Sequence, residues 1–258
     1  MSNQNPPLAG RVAIVTGVSR RIGIGYAITK RLLEMGADVL VQSLTRYDAQ
    51  MPWGADNIET VLAELRTIGP RVEHLEADFL DPHAAEQVVS AAVQAFEHVD
   101  ILVANHAYSL MGALEDLTAE HIDAHLQANV RGTLLLVKAF AAQFQKNSGG
   151  RVIMMTSGQH LGPMSGELAY IASKGAIHQL TLSLSDYLVR RGITVNTINP
   201  GATDTGYADA TLYELVKSNS PQGRWGEPDD AARLIAWLCT DEARWITGQV
   251  INSNGGGW

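Results

Sequence analysis

Two kinds of hydrophobic patterning alternate along the chain. Short runs rich in β-branched and aliphatic residues fall at 12–16, 39–43, 72–75, 101–104, 152–156, 194–198 and 249–252. Between them lie longer stretches with helical spacing. Residues 25–35 place Ile28, Leu32 and Met35 on one face, and 58–68 do so with Val61, Leu62 and Leu65. A helix over 82–96 is predicted with Asp81 as its N-cap and Pro82 at its first position. Thr118 caps the next helix, which runs to about residue 145. Further helices are predicted over 169–190 and 228–238. Seven strands alternating with helices imply an α/β fold, with a parallel sheet covered on both faces. A (β/α)8 barrel would want an eighth strand. Two long irregular stretches stand out: 44–56 after the second strand, and 202–227, with at most a short helix inside, after the sixth, at the end where sheets of this kind bind ligands.

Composition narrows the setting. The chain has 258 residues, 46% of them hydrophobic and 18% charged, as a globular protein does. No composition shift divides it, so one domain over 10–258 is expected after a flexible segment at 1–9. Cys239, the single cysteine, cannot form an internal disulfide and reads as a small core residue. The polar start lacks an apolar signal core, and no run approaches a membrane span, so a cytoplasmic protein without membrane contact is expected. A net charge of −8 speaks against nucleic acid as a partner.

Candidate chemistry gathers at two places. The first strand runs into Gly17-Val-Ser-Arg-Arg-Ile-Gly23-Ile-Gly25, and a helix follows. Glycines let backbone approach a phosphate, and a helix N-terminus supplies free N–H groups. Such a turn alone also fits an ordinary strand–helix junction. The second place is Ser157 after the fifth strand, with Tyr170 and Lys174 four residues apart on one helix face. A phenol can donate a proton to a carbonyl oxygen or take one from an alcohol. A nearby ammonium would lower its pKa, and a serine hydroxyl can hold the reacting oxygen. His121 and His125 have metal-like spacing but no evident third ligand, so no metal is expected. Asp229 and Asp230 read as the acidic first turn of a helix.

These motifs, in order over about residues 10–256, resemble the short-chain dehydrogenase/reductase family, and most closely its 3-oxoacyl-(acyl-carrier-protein) reductase-like branch. The resemblance rests on Thr16-Gly17…Gly23-Ile-Gly25, Asp78, Asp100-Ile-Leu-Val-Ala-Asn105-His-Ala, Asn129, Ser157, Tyr170-x-x-x-Lys174 and Asn199-Pro-Gly201-x-x-x-Thr205. It implies a Rossmann-type doubly wound sheet in the order 3-2-1-4-5-6-7, and a homotetramer. By the same resemblance, Tyr170 is the acid/base, Lys174 lowers its pKa and binds the nicotinamide ribose, Ser157 orients the substrate oxygen, and Asn129 anchors a relay water. Gly17, Ser19, Arg20, Gly23, Ile24, Gly25, Asp78, Phe79, Asn105, Pro200, Gly201, Thr203 and Thr205 would meet the dinucleotide.

The chain departs from the family pattern twice. Five residues separate Gly17 from Gly23, where the family usually has three, which moves Arg20 and Arg21. The family's Asn-Asn-Ala-Gly stands here as Ala104-Asn105-His106-Ala107, and His106 reads equally as a cleft lining or a packed histidine.

No acid ends the second strand, which would hold a ribose 2′-hydroxyl. Ser43 and Thr45 could donate to a phosphate and Arg46 or Arg20 could supply charge, so NADP(H) is expected rather than NAD(H). The activity implied is reduction of a ketone, a 3-oxoacyl thioester by resemblance, to a secondary alcohol. An oxidative dehydrogenase for a sugar, steroid or secondary-metabolite alcohol is the alternative, and a cofactor-sensing protein without turnover is another. Tyr108, Met111, His160, Met164, Glu167 and Tyr207 are expected to line the substrate pocket. Trp53 reads as an adenosine cover or a packing residue, and Trp258 as a contact to a neighbouring subunit.

Overall fold

The computed structural model describes residues 5–257, so Trp258 lies outside the described residues. Seven parallel strands form one sheet in the order β3-β2-β1-β4-β5-β6-β7. They are β1 (Val12–Thr16), β2 (Asp38–Ser43), β3 (Val72–Glu76), β4 (Ile101–Ala104), β5 (Gly150–Met155), β6 (Ile193–Asn199) and β7 (Val250–Asn252). The central strands are apolar throughout because both faces are covered. Side chains alternate across β1: Ala13 and Val15 pack with one cluster, Val12 and Ile14 with the other.

The first cluster is capped by α1 (Ile24–Glu34), α3 (Ile58–Leu65) and α9 (Pro228–Leu238). Cys239 is buried there, as expected of a small core residue. The second cluster is capped by α4 (Ala84–Phe96), α6 (Gly132–Gln143) and α7 (Leu168–Val189). Leu8 is fully buried in the first cluster and its N–H donates to Met35 O at 2.9 Å. Packing of the domain therefore begins inside the expected 1–9 segment. Among the described residues no helix is long and apolar enough to cross a membrane.

Three helical expectations change. The helix at 82–96 starts at Ala84, because the Asp81 carboxylate closes a turn by accepting from the His83 N–H at 2.8 Å. Thr118 does cap α5 (Ala119–His125), accepting from the His121 N–H at 3.2 Å. The helical run beyond it is not uniform: a π turn over Leu126–Arg131 separates α5 from α6. The stretch at 44–56 holds a short helix of its own, α2 (Thr45–Asp48), and 202–227 holds the one short helix allowed for it, α8 (Ala210–Asn219).

Candidate active site

The order of strands reverses between β1 and β4, and the crevice beyond their C-terminal ends is where doubly wound sheets bind ligands. The glycine turn lies there, fixed from both sides. From β2, the Gln42 side chain accepts from the Gly17 N–H at 3.0 Å, and its amide donates to Ala77 O at 2.6 Å. From the end of β4, the Asn105 amide donates to Thr16 O at 2.9 Å and Gly17 O at 3.2 Å. Gly17 has φ +75°, and a Cβ there would stand 2.9 Å from the His106 Cα. Gly23 then caps α1, whose first turn carries no acid.

A cavity of about 480 Å3 opens beside this turn, lined by Gly17, Ser19, Arg46, Asp78, Phe79 and Asn105 among others. Several expected phosphate partners prove to be engaged. Ser43 is a correction: it is fully buried and bonded to His74 Nε2 at 2.8 Å, on the side of β2 away from the glycine turn. Thr45 begins α2 with its hydroxyl buried and unbonded, and it does not line the cavity. Arg46 does line it, 69% exposed and paired with Asp78 at 2.8 Å. Arg20 donates to Thr205 O at 2.7 Å, with its guanidinium 5.6 Å from the Trp53 ring centre. Trp53 in turn donates to Asp48 at 2.9 Å, so it packs within its loop. Arg21 turns outward to Asp56 at 3.3 Å and Glu64 at 2.8 Å. The cavity, the acid-free helix N-terminus and the exposed Arg46 together fit an anionic dinucleotide.

His106 resolves as a packed histidine. Its Nε2 donates to Ala128 O at 3.1 Å and its Nδ1 accepts from Thr16 Oγ1 at 2.8 Å, with its ring 4.0 Å from that of Phe79. Burial, the Lys174 charge adding to it, pushes its pKa down to about 3, so the ring is neutral. Ala128 and Asn129 sit on the π turn, a local widening that recurs at functional sites. Asn129 accepts from the Tyr108 N–H at 2.7 Å and donates to Ser173 Oγ at 2.9 Å, which places it against α7 beside Lys174.

Ser157 follows β5, and its side chain lies near enough to the Tyr170 phenol to act against the rise in its pKa. Lys174 lies one turn beyond Tyr170, its Nζ 5.6 Å from the phenol ring centre and donating to Met155 O at 3.1 Å. The expected lowering of the tyrosine pKa is not what this arrangement produces. Burial pushes the phenol above its ordinary range, the Glu167 charge adds to that, and only the Ser157 hydroxyl acts the other way. Burial also lowers Lys174, to about 8.

After β6, Pro200 leads into Gly201, with φ +69° and a would-be Cβ 2.5 Å from Asn254 Cβ. Thr203 is buried, its hydroxyl 3.3 Å from Pro200 O. Of the expected pocket residues, Tyr108 lies with its ring tilted against that of Tyr47 at 5.3 Å and meets the His125 ring edge-on at 4.9 Å. Tyr207 leans on Trp225 at 5.8 Å, and the charge of Glu167 is felt by both Tyr207 and Tyr170. His160 is exposed and bonded to Asn252 at 3.1 Å, while Met164 is half-buried in the same connection. Gln42 and Tyr47 escaped the sequence reading. Tyr47 reaches from α2 across to the Ser109 backbone at 3.1 Å. A lone Gln near the end of an apolar strand was the signal for the first.

The family model described as enoyl-(acyl carrier protein) reductase matches residues 17–257. An uncharacterized oxidoreductase of Bacillus subtilis, YjdA, is 41% identical over 248 residues, which is 95% of this chain and 96% of that protein. The NADPH-dependent aldehyde reductase-like protein of Arabidopsis thaliana chloroplasts is 36% identical over 97% of this chain and 95% of its own length. A short-chain dehydrogenase from Burkholderia cenocepacia, solved in complex with NADP, superposes with a TM-score of 0.87 at 36% identity, covering 97% of this chain and 98% of that one.

Proposed function

Because the chain belongs to the short-chain dehydrogenase/reductase family, we propose that it is an NADP(H)-dependent oxidoreductase that reduces a ketone to a secondary alcohol. The observation that carries this is the convergence of Ser157, Tyr170 and Lys174, with Ser157 near the phenol and the Lys174 Nζ 5.6 Å from the tyrosine ring centre, one helical turn beyond. NADP(H) is supported by the relative named as NADPH-dependent, the neighbour solved with NADP, and the exposed guanidinium of Arg46 over the cavity.

When bound, the reduced nicotinamide supplies hydride to the carbonyl carbon. The residues of this chain handle the oxygen. Ser157 holds it by hydrogen bonding, and Tyr170, kept protonated by burial, donates its phenolic proton as negative charge develops there. Lys174 would stabilise the phenolate left behind by turning to it from Met155 O, and Asn129 holds the adjacent turn of α7 through Ser173. In the reverse direction Tyr170 takes the proton from an alcohol. A 3-oxoacyl thioester is the ketone that the resemblance implies, and a homotetramer is the assembly.

The test is Tyr170→Phe. General acid catalysis contributes about 10²–10⁴-fold, so NADPH consumption with an accepted ketone should fall by that order. The NADPH dissociation constant should stay within about threefold, since the phenol adds little to binding the rest of a large ligand. Undiminished turnover in Tyr170→Phe would remove the tyrosine from the mechanism. Absence of turnover with every ketone and alcohol class tried on the unaltered chain would return the protein to a sensing role.

A further inference from the structure

The segment 108–112, just after β4, is held by its backbone from several sides. Asn129, on the π turn, accepts from the Tyr108 N–H at 2.7 Å and donates to Tyr108 O at 2.9 Å. Tyr47, on α2, does the same for the next residue with one atom. Its hydroxyl accepts from the Ser109 N–H at 3.0 Å and donates to Ser109 O at 3.1 Å. His125 Nε2, at the end of α5, accepts from the Leu110 N–H at 3.2 Å. The Gly112 N–H donates to Gly166 O at 2.7 Å, and Gly112 O accepts from the Leu168 N–H at 3.1 Å, at the start of α7. Backbone groups satisfied in this way leave the segment little freedom to shift.

Most of these holds belong to the side of the site that carries Tyr170. Asn129 reaches α7 through Ser173, and the His125 ring lies 6.4 Å from that of Tyr170. Tyr47 comes from the nucleotide side instead. It directly follows Arg46, the exposed cation paired with Asp78 at 2.8 Å. Among the described residues no other hydrogen bond joins 44–56 to 108–112. The clasp also stands at a boundary between cavities. Tyr47, Tyr108 and Leu110 line the nucleotide cavity together with Arg46 and Asp78. Tyr108 and Leu110 line a second cavity as well, of about 330 Å3, with Met111 at its edge 75% exposed.

Resting on the reading of the protein as an NADP(H)-dependent ketone reductase with Tyr170 as its acid, we propose that Tyr47 is a positioning residue that couples the two ligands. A 2′-phosphate that seats α2 through Arg46 also sets, through the Tyr47 hydroxyl, the wall that the ketone meets. Such coupling requires that one ligand favour the arrangement the other binds. NADPH and NADH differ only in that phosphate, so the KM of the ketone reads it.

The test uses the full chain, acetophenone as the ketone, and saturating NADPH or NADH. In the unaltered protein the KM for acetophenone is expected to be several-fold lower with NADPH than with NADH. Tyr47→Phe keeps the ring against Tyr108 and removes both bonds. Its KM with NADPH should rise about tenfold, its kcat should stay within about threefold, and the difference between the nucleotides should vanish. Ser109→Ala is the control, because Tyr47 holds only the backbone of that residue. It should keep the parental values. Amide exchange over 108–112, followed by mass spectrometry, reads the coupling without turnover. NADPH should slow that exchange more than NADH does in the unaltered protein, and no more than NADH does in Tyr47→Phe. Failure to reduce acetophenone would count against the reductase reading, and the exchange rates would still decide the role of Tyr47. Equal KM with both nucleotides in the unaltered protein overturns the proposal. So does an equally stable Tyr47→Phe that keeps the parental KM ratio or the extra protection by NADPH.

Discussion

Gly25 is the position where a single methyl group meets the tightest packing of the nucleotide-facing turn. In the first turn of a helix, Gly→Ala ordinarily gains up to about 1 kcal/mol. Here the added Cβ would stand 2.4 Å from Gly17 O, 2.8 Å from Asn105 Nδ2 and 3.1 Å from Gly17 C. Two of these neighbours are backbone of the turn itself, and the third is the side chain that ties the turn to β4. Nothing flexible is available to give way. Overpacking of this kind costs about 1–3 kcal/mol, which outweighs the helical gain. In a domain of this size Gly25→Ala should lower the melting temperature by about 3–10 °C. Displacing the turn also moves the α1 N-terminus, so the NADPH dissociation constant should rise about tenfold. Gly175→Ala is the counterpart, since a Cβ on α7 there meets nothing within 4 Å. Its melting temperature should be unchanged or slightly higher. Scanning calorimetry and NADPH titration of both variants decide the matter. Parental stability and affinity in Gly25→Ala, or an equal loss in Gly175→Ala, would refute the steric argument.

Two further outcomes follow from the charges of the site. Lys174 has a folded pKa of about 8 against an ordinary 10.5, so between those values the unfolded chain binds more protons, and stability from this group rises with pH. The penalty, roughly 3 kcal/mol, is complete below pH 8 and is offset in part by the bond to Met155 O. Lys174→Met should therefore be inactive yet more stable than the parent at pH 7, by about 1–2 kcal/mol in urea titrations. That margin should close toward pH 10.5, and a constant or negative margin would contradict the assignment of the shift to burial. Arg46→Ala, which removes the exposed cation of the cavity, should weaken NADPH about tenfold and leave NADH binding within about twofold. Equal losses for both nucleotides would argue against a contact with the 2′-phosphate.

What the sequence made legible, and what it hid, divides by the range of the interaction. β1 and β4 could be bounded to the residue, because burial on both faces demands unbroken apolar runs. Tyr170 and Lys174 could be paired because helical spacing is local. Ser43 was misplaced by a rule of period two. Gln42 and Ser43 are neighbours on one strand, so only one can face the glycine turn, and the register of β2 gives that side to Gln42. The π turn at Leu126–Arg131 was invisible because one extra residue barely disturbs an apolar 3.6-residue pattern. The direction of the Tyr170 shift was missed for a different reason: it depends on the balance between burial and a lysine turned to another acceptor.

Both departures from the family pattern also acquire a meaning that neither has alone. The longer glycine turn carries Arg20 to the Thr205 carbonyl, on the connection that follows β6. The histidine at 106 carries the same turn, through Thr16, to the Ala128 carbonyl, next to Asn129 on the π turn. A histidine held neutral by burial can serve there because it must accept at one ring nitrogen and donate at the other, and a protonated ring could not accept from Thr16. Gly132 completes the fit, since a Cβ at that position would stand 2.9 Å from Phe79 Cβ and 3.4 Å from His106 Nε2. The nucleotide-facing turn is thus bonded on one side to the loop that borders the substrate mouth and on the other to the segment that braces α7. A displacement of the turn is therefore resisted at the position of Tyr170 as well as at the phosphates, which is why a methyl group at Gly25 should cost turnover beyond its effect on NADPH affinity.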